Sequence, residues 1–558
     1  MLNAVLLVAV IVGGTALLSW PLGRYMKRAM DPDQPATGPD GWTRVFQAVG
    51  GPLTRASQGW KPYVFAMLAF NAVMFTVTYA ILALQQYLPL NPDGMGPIEG
   101  SLAFNTAASF TSNTNLQHYS GESTLSYFSQ LGGLMWLQFV SAATGIAALT
   151  ALARGLAGRP LGNFFVDLQR ASFLVLLPLA LVVATLMVAG GMPMTFDGAA
   201  VVTTLEGAMQ TIARGPVAAF LTIKQLGTNG GGFFGPNSTH PLENPTFWTN
   251  GLSMVAIILI PMASVWLFGR IVGRPRHAAV VFGVMLVLLL AKIGGAVYFE
   301  SAPTEAFAAL PIEQGVGNLE GKELRFGSAS GPLWAVLTTS TSNGSVGAMH
   351  DSLNPMTGLM PMIGMWLNAT FGGVGVGMIN MFLYIIVAVF LAGMMVGRTP
   401  EYLGRRVEAG EVKLAVLALV AHAAFILGGT ALFAATSWGT GTLNNVGAHG
   451  FSEMLYEFSS ASANNGSGFE GLGDNTVPWN VATGIVMLLA RFIPIILPLA
   501  IAGSLGTKRR AATTAGTLGV EDATFALMLI ATILVFGALT FFPAAALGPL
   551  AEHFTFMN

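Results

Sequence analysis

Thr111-Ser112-Asn113-Thr114-Asn115, Gly227-Thr228-Asn229-Gly230-Gly231, Thr341-Ser342-Asn343-Gly344-Ser345 and Ser462-Ala463-Asn464-Asn465-Gly466 are four short polar strings in an otherwise apolar chain. Their central asparagines, Asn113, Asn229, Asn343 and Asn464, lie 116, 114 and 121 residues apart. A period this regular means four copies of one structural unit. Small polar residues between long apolar spans expose backbone carbonyls at bilayer depth, which is tolerated only where they line a cavity. Four such loops about one axis make an ion filter. Read singly, each string is also an ordinary outer turn of a transporter, because Asn, Gly, Ser and Thr are common turn residues. Four copies, evenly spaced, argue for the filter.

Composition agrees with a membrane setting. Of the 558 residues 53% are hydrophobic and 9% charged, against about 25% charged in soluble domains. The net charge of −1 gives no electrostatic footing for nucleic acid. Cysteine is absent, which excludes disulfides, thiolate metal sites and cysteine nucleophiles. The seven histidines show no metal-ligand spacing, and the 68 glycines suit close helix packing and tight re-entrant turns.

Ten apolar runs have the length of a bilayer crossing: roughly 3–20, 62–87, 131–153, 171–193, 249–270, 277–298, 359–396, 412–436, 478–502 and 524–547. The first, from Ala4 to Leu18, has its basic cluster (Arg24, Lys27, Arg28) after it, the reverse of a cleaved signal peptide. It reads as a retained span with its N-terminus outside. The loops after odd-numbered spans hold 19 of the 25 Lys and Arg residues, and those after even-numbered spans hold four: Arg214, Lys224, Lys322 and Arg325. The positive-inside rule then places both termini outside and all four strings on the outer side.

Each string follows a segment of half-span length: 98–110, 215–226, 331–340 and 449–461. Gly215-Pro216 and Gly331-Pro332 open two of them, as befits a first helical turn. A half-helix ending at the string points its negative dipole end at a cation. The expected fold is therefore an all-α polytopic membrane protein of ten transmembrane helices. Four tandem helix, pore-helix, filter-loop, helix repeats surround a pseudo-fourfold axis, with one extra helix at each end. The units run 62–153, 171–272, 277–397 (its second helix broken) and 412–505, flanked by a first span with a cytoplasmic loop, 1–61, and a final span, 524–558. Two spans per repeat keep all four repeats in one orientation, which argues against a solute carrier with inverted repeats.

No string contains a carboxylate, whereas calcium and magnesium sites want Asp or Glu oxygens. Glu99, Glu122, Glu206, Glu243, Asp351, Glu453, Glu457 and Glu470 lie nearby, and the last outer loop, 437–477, has no Lys or Arg. Such a mouth would concentrate monovalent cations, although each acid alone reads as a solvated loop charge. Carbonyl chemistry prefers K⁺ to Na⁺.

Three features concern the path beyond the strings. The run 359–396 spans 38 residues, too many for one straight crossing. The stretch Phe371, Gly372, Gly373, Val374, Gly375, Val376, Gly377 is expected to break it and to gate the inner side; a glycine-rich packing surface is the competing reading. Arg491, near the middle of the ninth span, reads as a fixed charge beside the ion path or as a structural clamp. Lys292, near the outer end of its span, is expected to snorkel.

The residues also resemble a known family. Gly227-Thr228-Asn229-Gly230-Gly231-Gly232-Phe233-Phe234, His240-Pro241-Leu242-Glu243-Asn244-Pro245 and Gly397-Arg398-Thr399-Pro400-Glu401-Tyr402-Leu403-Gly404 closely resemble the KdpA family. So do Thr114-Asn115-Leu116-Gln117, Phe371-Gly372-Gly373-Val374-Gly375 and Ala463-Asn464-Asn465-Gly466-Ser467. The resemblance spans the chain in order. It implies the potassium-binding subunit of a bacterial P-type ATPase complex in the cytoplasmic (inner) membrane, partnered by KdpB, KdpC and KdpF subunits. K⁺ would be selected at the outer filter and passed sideways through a tunnel to KdpB. It implies the filter backbone at the four strings, with Gln117 and Gly232 just beyond the first two. One departure stands out: Asn368 occupies a position where the family is expected to carry a carboxylate, which leaves charge pairing at the gate open. The chain has neither an Asp-Lys-Thr-Gly phosphorylation string nor a phosphate loop, in keeping with a non-catalytic subunit without an organic cofactor. The inner-side cations could hold anionic lipid headgroups. The competing function is an autonomous K⁺ channel or symporter of the Trk/Ktr/HKT type, which shares the four-repeat plan.

Overall fold

A computed structural model describes residues 2–32, 40–304, 310–510 and 519–556. Residues 1 and 33–39 of the unit 1–61, 305–309 of the unit 277–397, and 557–558 of the unit 524–558 lie outside the described residues, as do 511–518. Among the described residues, ten helices are long and apolar enough to cross a membrane. They are α1 (Leu2–Met30), α2 (Trp60–Ala83), α4 (Ser129–Leu156), α5 (Phe164–Ala189), α7 (Phe247–Val272), α8 (Pro275–Ser301), α11 (Val376–Met395), α12 (Ala409–Ala434), α14 (Val477–Thr507) and α15 (Ala523–Leu547). Between them lie four shorter helices that lead into the polar strings: α3 (Gly100–Thr111), α6 (Val217–Leu226), α9 (Gly327–Ser340) and α13 (Gly447–Ala463).

Every expected span has a helix, but several ends move. α1 continues ten residues beyond the expected end at position 20. Arginines hold its last carbonyls, groups that no helix can satisfy internally: Arg154 donates to Met30 O at 2.6 Å and Arg170 to Ala29 O at 2.6 Å. α5 starts seven residues before the expected position 171. Its polar first turn is capped by Asn163, whose side chain accepts from Phe165 N and Val166 N. Asp167 in that turn is paired with Arg154 at 2.9 Å. α9 begins at Gly327, so Pro332 lies inside the helix and does not open it.

The long seventh run is two helices, α10 (Pro355–Leu367) and α11. The backbone between them is left-handed at Asn368, Phe371, Gly372 and Gly375, which an α-helix cannot contain. The break therefore starts at Asn368, earlier than expected, and Gly377 already belongs to the first turn of α11.

Burial ranks the helices. In α4 and α11, 83% and 89% of the most apolar window is buried, against 22% in both α1 and α15. The centre is thus built from second spans of the first and third repeats, and the two additional helices are peripheral. A small antiparallel hairpin, β1 (Ala200–Thr203) with β2 (Met209–Ile212), stands between α5 and α6. A second, β3 (Glu401–Tyr402) with β4 (Arg405–Arg406), links α11 to α12.

Candidate ion-binding site

The four strings share one backbone signature. Two left-handed residues flank one that is not: Asn113 and Asn115, Thr228 and Gly230, Ser342 and Gly344, Asn464 and Gly466. Asn113, Thr228, Ser342 and Asn464 are therefore equivalent, and the middle residues are Thr114, Asn229, Asn343 and Asn465. This corrects the alignment on central asparagines, which is off by one in the first and fourth strings. Asparagine tolerates left-handed backbone, so it fills either position, and spacing alone does not tell which.

Alternating handedness gathers successive N–H groups on one side, and here that side faces the half-helix. Thr114 N and Asn115 N donate to Ser109 O at 2.9 and 3.2 Å. Asn229 N and Gly230 N donate to Lys224 O at 2.9 and 3.2 Å. Asn343 N donates to Thr338 O at 2.8 Å, and Gly344 N to Thr338 Oγ1 at 2.9 Å. Asn465 N donates to Ser460 O and Gly466 N to Ser460 Oγ, both at 2.9 Å. The carbonyls turn the other way. Those of Asn113, Thr114, Asn229, Ser342, Asn343, Asn464 and Asn465 accept no hydrogen bond among the described residues, although all seven residues are buried. Buried backbone carbonyls are nearly always paired, so such a concentration of free oxygens is a donor set for a cation.

Side-chain amides close the strings into a ring. Asn113 Nδ2 donates to Gly227 O and Thr228 O at 3.2 and 2.8 Å, joining the first string to the second. Asn343 Nδ2 donates to Lys224 O at 3.2 Å, joining the third to the second. Asn465 Nδ2 donates to Thr338 O at 3.0 Å, joining the fourth to the third. Asn464 Nδ2 donates to Thr114 Oγ1 at 2.9 Å and completes the circuit. At three corners the second left-handed residue must be glycine. A Cβ on Gly230, Gly344 or Gly466 would lie 1.9, 2.0 or 2.1 Å from the next string's Asn343 O, Asn465 O or Thr114 O. The first string has Asn115 at that corner, with its Oδ1 bonded by Gln138 Nε2 at 3.3 Å.

Just beyond the ring, Gln117 and Gly232 bond to each other: Gln117 Nε2 donates to Gly232 O at 3.0 Å, and Gly232 N to Gln117 Oε1 at 2.6 Å. Several of the neighbouring acids correct the expectation of solvated loop charges. Glu243 is buried and paired with Lys224 at 2.6 Å, and its other oxygen accepts from Phe233 N and Phe234 N. Asn237, also bonded to Lys224, donates to Gly230 O at 2.7 Å, so this cluster braces the second string. Glu453 accepts from Asn444 N and Asn445 N. Glu457 lies 3.2 Å from His118, with Asp474 at 3.9 Å. Burial opposes charge on His118, but Asp474 and Glu457 raise its pKa to about 9. Burial lifts Asp474 to about 7 against the pull of His118. Burial also pushes the Glu470 carboxyl up to about 8, although Asp351 N and His350 N bond to it. Glu99, Glu122 and Glu206 are not fully buried.

The break between α10 and α11 sits against the first residues of the strings. Gly372 N donates to Ser340 O at 3.0 Å, and Val374 N to Thr228 Oγ1 at 2.9 Å. Ser342 Oγ donates to Asn368 Oδ1 at 2.8 Å, and Asn368 Nδ2 to Ala463 O at 3.4 Å. Asn368 thus works as a neutral bridge between the third and fourth strings. Against α4 the packing is backbone on backbone: a Cβ on Gly375 would be 2.2 Å from Gly145 O, and one on Gly145 2.2 Å from Val374 O. Gly373 faces Ser342 and Thr228.

Arg491 lies beside this contact, buried, donating to Ser141 O at 3.1 Å; Ser141 Oγ in turn donates to Asn113 Oδ1 at 2.8 Å. Among the described residues no carboxylate pairs with Arg491 within 4.0 Å. Lys292 does not snorkel. It is buried, and its Nζ donates inward to Ser340 Oγ at 2.7 Å. That partner is 48 residues away and carries no charge, so sequence gave no sign of it.

Comparison with known proteins follows the same lines. The family described as KdpA, potassium-transporting ATPase A subunit, matches residues 8–554. The chain is 47% identical to the potassium-transporting ATPase potassium-binding subunit of Flavobacterium johnsoniae, with 97% of each chain covered. It is 48% identical to the protein of that name from Rhodospirillum centenum, over 95% of this chain and 94% of that one. Among solved structures it is similar to the potassium transporter TrkH from Vibrio parahaemolyticus, with a TM-score of 0.53 at 14% identity. The similarity covers 87% of this chain and 95% of TrkH and concerns the fold alone.

Proposed function

Because the chain belongs to the KdpA family of potassium-transporting ATPase A subunits, we propose that it selects K⁺ from outside the bacterial cytoplasmic membrane and hands it to a P-type ATPase subunit. The filter is formed by residues 111–115, 227–231, 341–345 and 462–466. The observation that carries this reading is the ring of seven buried carbonyls without donors, contributed by all four strings. Neutral oxygens replace the hydration shell of a monovalent ion. The ring contains no carboxylate that would favour a divalent one.

The half-helices aim their negative ends at the same place. Entry is from the side carrying Gln117 and Gly232. The segment 368–375 closes the far end, because it bonds to Ser340, Thr228 and Ala463 where the strings begin. The path is thereby turned sideways, towards an ATPase partner, and Arg491 stands beside the turn as a fixed positive charge. The chain is the non-catalytic subunit, with KdpC-type and KdpF-type subunits completing the complex, both termini outside and the basic loops facing cytoplasm and anionic lipid. An autonomous Trk-type channel would share the fold, but the family match over nearly the whole chain favours the pump subunit.

The test is to determine the structure of the complex in Rb⁺. Anomalous density within the ring, absent when Rb⁺ is exchanged for Na⁺, is expected. A ring without Rb⁺ density, or with equal density in Na⁺, would refute the filter.

A further inference from the structure

Ser340 and Ser462 occupy the same place in two repeats, each two residues before the first left-handed residue of its string. Each hydroxyl is held by a nitrogenous side chain from the first span of its own repeat. Lys292 of α8 donates to Ser340 Oγ at 2.7 Å. His422 of α12 places Nδ1 2.8 Å from Ser462 Oγ. The other imidazole nitrogen, Nε2, is 3.1 Å from Met365 O, a carbonyl in the last turn of α10. A carbonyl only accepts, so Nε2 carries the proton there. Met365 O is one of the four final carbonyls a helix leaves unpaired. His422 therefore straps the end of α10 to the base of the fourth string.

The first two repeats lack this device. Their equivalent residues are Thr111, whose Oγ1 has no partner among the described residues, and Leu226. The two braced positions are also where the break docks: Gly372 N bonds to Ser340 O, and Asn368 joins Ser342 Oγ to Ala463 O. Lys292 is buried with one hydrogen-bond acceptor for three N–H donors and no carboxylate within 4.0 Å among the described residues. Burying an ammonium with so little compensation is expensive, and Ser340 is what it bonds to.

We infer that Lys292 and His422 are a matched pair of positioning residues that clamp the 368–375 segment to the bases of the third and fourth strings and so keep the inner side shut. The inference rests on the reading of that segment as a gate. Neither side chain touches the free carbonyls of the ring, so their loss acts on closure and leaves selection in place.

The test uses the whole complex with its ATPase partner, reconstituted in liposomes, with Rb⁺ tracer flux read without ATP. Lys292→Met and His422→Phe are each expected to raise that leak about tenfold, equivalent to ~1.4 kcal/mol of closing free energy. The Rb⁺ concentration for half-maximal ATPase stimulation should stay within about twofold. Lys292→Arg and His422→Gln, which keep a donor in place, should restore tightness. Should Met or Phe prevent folding, Ser340→Ala, outside the filter strings, removes the hydroxyl that Lys292 bonds with almost no change in volume, and His422→Leu removes the strap with a smaller side chain; both should leak likewise. Excision of 373–376 is the control for the gate itself. If the excision leaks and the point variants stay tight, the clamp is refuted and the gate stands. If the excision does not leak, gate and clamp fall together. A leak that Arg and Gln do not repair, or one accompanied by lost Rb⁺ affinity, also overturns the clamp.

Discussion

Above Asn113, Thr228, Ser342 and Asn464 the four repeats follow one plan. N–H groups return to the half-helix, the carbonyl of the middle residue stays free, and an amide reaches the neighbouring string. Below those residues the repeats part company. Among the described residues, only the third has its second span broken, only the third and fourth have a base hydroxyl held by a side chain of their first span, and Arg491 stands on the side of the first. The difference teaches that selection and direction are separate problems. Coordinating a spherical ion asks for near-equivalent oxygens all round. Preventing it from continuing straight asks for a floor that is not symmetric.

Substitutions on the two levels should therefore fail in different ways. The largest effect is expected above. Gly344→Ala puts a methyl 2.0 Å from Asn465 O and a side chain on backbone with φ of 92°, so the fourth string must move. Half-maximal Rb⁺ stimulation of ATPase activity should shift by at least ~100-fold, about 2.7 kcal/mol. An Ala variant with unchanged Rb⁺ affinity would mean the ring is not the selecting element.

A smaller effect is expected below. Arg491→Gln keeps a donor for Ser141 O and removes the charge. Uptake per ATP hydrolysed should drop and ATP-independent Rb⁺ flux rise by roughly tenfold, with affinity nearly unaltered. Normal coupling in this variant would reduce Arg491 to a carbonyl clamp between α14 and α4.

The smallest effect belongs to the loop after the first string. His118, raised to about 9 by Asp474 and Glu457, strengthens the fold while it is charged beside its ionised partners, and that contribution is lost as pH rises through about 9. The melting temperature of the purified complex should fall by roughly 2 °C or more between about pH 7 and about pH 10. His118→Gln should flatten that part of the profile, and a slope that survives in the variant would locate the titration elsewhere.

The symmetric part of the molecule was the legible part. Polar strings stand out against apolar sequence, their period exposes the repeat, and half-span lengths before each string give the half-helices. The broken seventh run was legible too, because its length exceeds a bilayer crossing and its glycines are clustered at 372–377. What stayed hidden depends on partners distant in sequence. Lys292 looked like an outer-end lysine until Ser340 folded against it. Glu243 looked solvated until Lys224 on the half-helix turned towards it. The register of the first and fourth strings was hidden for a local reason: Asn113 and Asn464 do with asparagine what Thr228 and Ser342 do with threonine and serine.

The bond from Asn464 to Thr114 joins residues 350 positions apart. During synthesis on the ribosome, three strings enter the bilayer before the last is translated, and the circle lacks its seam until then. Pairings between residues far apart in sequence form late in folding. If the ring is the proposed filter, the newborn protein acquires its affinity for the ion only with the last repeat, and a chain released before the fourth repeat has no closed ring to offer.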